Sequence, residues 1–172
     1  MKKLLFILLI LAGATVSIHA QNRIADEAAI KQTWARFGNS WRNKDFSDMK
    51  DYATPDCHWI NIVGMHWHNL KEVEFAHQAL ITAFLKNAGS VEKSNDIRFI
   101  TNDVAIMYHV THIGAFYPPD GIDRGNNKQG DKDNIATLVF VKQKGKWLLA
   151  SGQNSDVVAE AAANDPVLHM NK

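Results

Sequence analysis

Between Asp26 and Asn43 the apolar residues Ile30, Trp34, Phe37 and Trp41 recur at intervals of four, three and four, which predicts a helix that buries one face. Asp45 is placed to cap a short second helix, where Phe46, Met49 and Tyr52 keep the spacing, Tyr52 points inward and Pro55 ends the run. The chain then turns β-rich from His58 to Val63, Gly64 permits a turn or bulge, and Met65 to His68 continues extended. Asn69 caps a third helix with Glu72 at the capping-box distance, and Val73, His77, Leu80 and Phe84 line its buried face.

The second half reads as strands at Asp96–Ile100, Val104–Phe116, Ile135–Lys142 and Lys146–Gln153, the last two joined by a tight turn at Gln143, Lys144 and Gly145. A polar run from Tyr117 to Asp133, rich in proline and glycine, predicts a long surface loop that is either a lid or an insertion. The tail after Ser155 is weakly helical. Three helices thus meet one antiparallel sheet in an α+β domain.

The first twenty residues break the pattern. Lys2 and Lys3 precede an apolar run from Leu4 to Leu11 and small residues up to Ala20, the layout of a secretory signal peptide. The run is short for a bilayer span, and no second one follows, so no membrane span is expected and the protein is placed outside the cytoplasm, secreted or periplasmic. The remaining 21–172 form one domain with its core at about 28–155 and a tail at 156–172. Without Lys2 and Lys3, 17 basic residues face 18 acidic ones, a balance that offers nothing to nucleic acid or an anionic membrane. Cys57 is the only cysteine, so no disulfide forms within the chain.

Histidines carry the candidate chemistry. His77 lies on the buried face of the third helix, where it is either a proton-transfer group or a core histidine held by one hydrogen bond. On the long strand, His109 shares a face with Met107, Thr111 and Ile113, and His112 takes the other; His109 is favoured for the cavity because the Val104, Ile106, Tyr108 row reads as the better packed side. His58, His66 and His68 have equal parity, so an unbroken strand would set them on one face, whereas a bulge at Gly64 would not. They are read as solvated edge histidines, with no metal and no cofactor assigned. Asn61 either orients a ligand oxygen or bonds neighbouring backbone. Trp34, Trp67 and Tyr52 are candidate pocket walls.

The segment ATPDCHWINIVGMHWHNLKEVEFAHQAL resembles the strand, glycine turn and histidine-bearing helix of the SnoaL-like group, in its SgcJ/EcaC branch, and GKWLLASGQNS resembles its closing strand. The resemblance implies the nuclear-transport-factor-2-like (cystatin-like) fold, a cone in which a curved antiparallel sheet wraps a long helix, with two further helices, around a small-molecule pocket. It also implies a homodimer. The fold does not select a reaction, since it hosts isomerases, dehydratases, cyclases and plain binders. Ketosteroid isomerases place an acidic base where Asn61 stands, and their other two site groups fall near Phe37 and Thr137, so that reaction is disfavoured. Two functions follow as expectations. One is a cofactor-free acid–base enzyme acting on a small apolar or polyketide-like substrate, with His77 or His109 moving the proton and Asn61 and Gln153 holding an oxygen beside Met107. The other is a secreted binding protein for a hydrophobic ligand.

Overall fold

The computed structural model describes residues 2–170, and side chains for residues 23–170; the side chains of the expected leader lie outside these. Helix α1 spans Lys2–Asn43. Its end shows why no second α-helix follows. Lys44 adopts a left-handed φ of 59°, the Lys44 amide donates to Trp41 at 3.2 Å and the Asp45 amide to Ser40 at 2.9 Å, the two bonds of a Schellman close. Asp45 is therefore spent on closing α1, and its carboxylate accepts from the Ser47 amide at 2.9 Å. Only a 3-10 turn, Met49–Asp51, remains of the expected helix.

Six strands form one sheet in the order β2, β1, β6, β5, β4, β3. Strand β1 is Ala53–Ile60 and β2 is His66–Trp67. The expected extended run to His68 is instead a hairpin, with Trp59 opposite Trp67 and Ile60 opposite His66. Gly64, at φ 82°, sits in its turn. Helix α2, Leu70–Ala83, carries the expected cap: Asn69 Oδ1 accepts from the Glu72 amide, and the Glu72 carboxylate accepts from the His68 amide at 2.8 Å. Then come β3 (Ser90–Phe99), β4 (Val104–Ile113), β5 (Lys132–Gln143) and β6 (Lys146–Asp156). The short α3, Ala159–Ala162, lies in the tail.

All neighbouring strands run antiparallel except β1 and β6, which pair in parallel and join the front of the chain to its last strand. Between β4 and β5 the loop is organised rather than loose: Phe116 pairs with Gln129, the Phe116 and Phe84 rings stack at 5.7 Å, and Asp120 and Arg124 form a two-pronged ion pair.

The sheet's concave face and α1 close on each other around Ile30, Phe37, Phe46, Met49, Met107, Leu138 and Phe140. Asp26 fixes the helix to the sheet, because its Oδ1 accepts from Lys142 Nζ at 2.6 Å and from Trp147 Nε1 at 2.9 Å. Burial alone would raise the Asp26 pKa, yet these two donors outweigh it and hold the carboxyl below its usual value.

Candidate functional site

Inside the cone the aromatic side chains form a row. Phe37 stacks on Trp34 at 4.6 Å and on Trp59 at 5.4 Å. One buried histidine stands at each end.

His77, from α2, meets Phe37, Trp59 and Trp67 in T-shaped contacts, at centroid distances of 5.3, 4.9 and 5.2 Å. Its Nδ1–H donates to the Val73 carbonyl at 2.8 Å, which fixes the tautomer and leaves Nε2 as an acceptor. Desolvation in this apolar cage lowers its pKa to about 4, against a small opposing pull from the Val73 bond. His77 is therefore neutral near pH 7.

His109 is buried with Ala105 and Met107 on the inner face of β4. That row, and not Val104, Ile106 and Tyr108, is the well-packed one; His109 faces inward because it belongs to it. Its Nδ1 lies 2.7 Å from Asn95 Oδ1 and 3.3 Å from Trp34 Nε1. The first contact needs Nδ1 to donate and the second needs it to accept, so one tautomer satisfies Asn95 and the other satisfies Trp34. The shorter contact favours donation to Asn95. Asn95 in turn donates to Glu92 Oε1 at 2.7 Å, while Glu92 Oε2 stands 3.9 Å from the imidazole. Burial lowers the His109 pKa and the Glu92 charge partly restores it.

The other expected site residues divide. Trp34 and Trp67 do border the histidines. Met107 is fully buried core on the same strand face as His109. Tyr52 is fully buried core, where its hydroxyl pairs with Ser40 Oγ at 2.9 Å, and desolvation raises its pKa strongly. Asn61 does not reach the cone: its Oδ1 accepts from the Val63 and Met65 amides, at 3.1 and 2.9 Å, and so builds the β1–β2 turn. Gln153 is exposed on the outer face. Counting alternate residues from buried Leu149 puts it inside, but the β5–β6 register slips between Leu149 and Ser151 and reverses the parity. Asn154 therefore takes the inward place, with its Oδ1 accepting from Trp59 Nε1 at 3.0 Å. Phe37 is in the row, but Asn61 and exposed Thr137 are not beside it.

Asn95, Glu92 and Asn154 carry no motif. Only their pairing across the sheet, Asn95 opposite His109 and Asn154 opposite Ala136, reveals them. A cleft of about 200 Å³ opens elsewhere, between Trp41, Arg42, Leu85 and Lys86, and shares none of these histidine contacts. The two buried histidines border the aromatic row, so the candidate site is placed there rather than in the cleft.

The family model for the SnoaL-like domain matches residues 30–160. Among solved structures, a cystatin-like-fold protein from Caulobacter vibrioides is 28% identical, with a TM-score of 0.77, over 83% of this chain and 97% of that one. A ketosteroid isomerase-like protein from Erwinia carotovora atroseptica is 12% identical, with a TM-score of 0.60, over 76% and 95%. An NTF2-like protein from Cytophaga hutchinsonii is 14% identical, with a TM-score of 0.58, over 76% and 98%. The last two show the shared fold. No functionally curated protein matches the chain.

Proposed function

The chain belongs to the SnoaL-like domain family, and from that premise we propose that it is a cofactor-free acid–base enzyme acting on a small apolar, ring-containing substrate. The observation that supports this most is the chain that runs from His109 Nδ1 through the Asn95 amide to Glu92. A base needs a partner that orients its ring and a nearby charge that stabilises it once protonated. Asn95 supplies the first and Glu92 the second. In this reading His109 takes the proton, His77 Nε2 accepts a hydrogen bond from the substrate, and Trp34 and Trp67 hold its apolar body.

Solvent deuterium exchange at the α-carbon of small enolisable aryl ketones, followed by NMR, tests the proposal without knowledge of the natural substrate. Exchange should fall by about 10²-fold or more in His109→Gln and fall less in His77→Gln. Equal exchange in wild type and His109→Gln would remove His109 from the mechanism.

A second reading is a binding protein without catalysis. It is favoured by His77, whose neutral ring is held by backbone alone, and by the isomerase-like acid position, where Asn61 is tied into a turn. Native mass spectrometry of protein purified from its own host separates the two, because a binding protein should retain a stoichiometric ligand. In either reading residues 1–20 act as a secretory leader. The mature mass should then begin at Gln21, and an intact Met1 on exported protein would refute this.

A further inference from the structure

On the face of the β1–β2 hairpin opposite the tryptophans, we infer that His58, His66 and His68 form a binding site for a zinc-like divalent transition-metal ion, with Glu72 orienting His68. The hairpin, rather than a continuous strand, brings them together: Trp59 pairs with Trp67, so His58 comes level with His68 while both tryptophans turn inward. His58 Nδ1 and His66 Nε2 stand 3.0 Å apart. The ring centres of His58 and His66 are 5.2 Å apart, those of His58 and His68 5.8 Å, and those of His66 and His68 4.1 Å.

Three imidazoles on one tetrahedral cation, with metal–nitrogen bonds of about 2.0–2.1 Å, hold their ring centres roughly 5 Å apart. The His58–His66 and His58–His68 separations lie near this spacing, while His66 and His68, at 4.1 Å, stand closer than it and must move apart. His58 and His66 are hydrogen-bonded to each other, and among the described residues no group of three or more His, Cys, Asp or Glu side chains stands where it could hold a metal ion without moving. Closing the site requires the rings to turn; His66 and His68 are exposed and His58 is half-buried.

Glu72 is placed to orient the His68 ring. His68 Nδ1 lies 3.4 Å from Glu72 Oε2, so donation there leaves His68 Nε2 for the cation, the carboxylate–histidine–metal arrangement of many bound zinc ions. Glu72 is itself held by the His68 amide and by Asn69 Nδ2, both at 2.8 Å. Three histidines suit zinc, copper or nickel in preference to calcium or magnesium, which take oxygen ligands. The site lies outside the cone and does not depend on the proton chemistry proposed there.

Calorimetric titration of tag-free protein with Zn²⁺ at pH 7.5 should give one ion per chain with Kd below about 10 μM. His58→Gln, His66→Gln and His68→Gln should each weaken binding at least tenfold, and Glu72→Gln by about 10- to 100-fold, with circular dichroism checking that each variant is folded. His112→Gln, beside Asp131 and Asp133, should bind as wild type does. Imidazole ¹⁵N shifts of the wild-type protein give a reading free of any variant: Zn²⁺ should move His58, His66 and His68 and leave His77 and His109 in place. Absence of stoichiometric binding, binding undiminished in His66→Gln and His68→Gln, or shifts confined to other histidines would overturn the site.

Discussion

His77 and His109 are both buried, yet their surroundings differ. Backbone holds His77 by one nitrogen in an aromatic cage, while His109 meets side chains that can respond to a charge. The depressed pKa of His77 has a consequence for stability. An unfolded histidine binds a proton near pH 6.5, while the folded one waits until about 4. Between those values the unfolded state holds more protons, so stability is full above pH 6.5 and is lost as pH falls toward 4. A gap of this size corresponds to roughly 3 kcal/mol over the window. Urea unfolding of wild type and His77→Asn at pH 7.5 and pH 5 should show a smaller pH dependence in the variant, although the variant is less stable at both. The lowered His109 pKa acts in the same direction, so some dependence should persist in His77→Asn.

At the scale of elements, β6 and the β1–β2 hairpin decide which side chains enter the cone. Gly152 lies directly beneath the Trp59 ring, and a Cβ there would overlap ring carbons. Gly152→Ala should therefore displace Trp59 and cost about 1–3 kcal/mol, read as a lowered denaturation midpoint with altered near-ultraviolet dichroism. The helical stripe Ile30, Trp34, Phe37 of α1 and the Asn69–Glu72 cap of α2 were legible because each is a local pattern of spacing and hydrogen-bond chemistry. His109 was also legible as an inward residue, from strand alternation, although the better-packed row is its own. The second helix was misread because the Phe46, Met49, Tyr52 spacing looks helical, while the left-handed turn at Lys44 had no glycine to announce it. Gln153 was misplaced because one extra residue in β6, invisible to alternation, reverses every face after it. Asn61 and the His58, His66, His68 trio turned on whether Gly64 makes a bulge or a full turn, which sequence alone left open.

Taken as a whole, the molecule is a sheet closed on one helix and anchored at its open end by Asp26. Ile30 is fully buried one turn further along. A chain beginning at residue 21 keeps both residues and should unfold at the same urea concentration as the full-length protein. One beginning at residue 31 loses both and should be about 3 kcal/mol or more less stable. The parallel pairing of β1 with β6 carries a further consequence, in time rather than in space. Ala53 of β1 meets Leu149 of β6, so nearly a hundred residues must be made before the first strand, paired until then only with the short β2, joins the rest of the sheet. The β3–β6 meander can zip locally, but the wall that holds Trp59 and His77 must wait for the last strand to emerge. A ribosome releasing this chain therefore presents β1, β2 and α2 without β6 for most of the synthesis, leaving a long interval in which chaperones can still engage them.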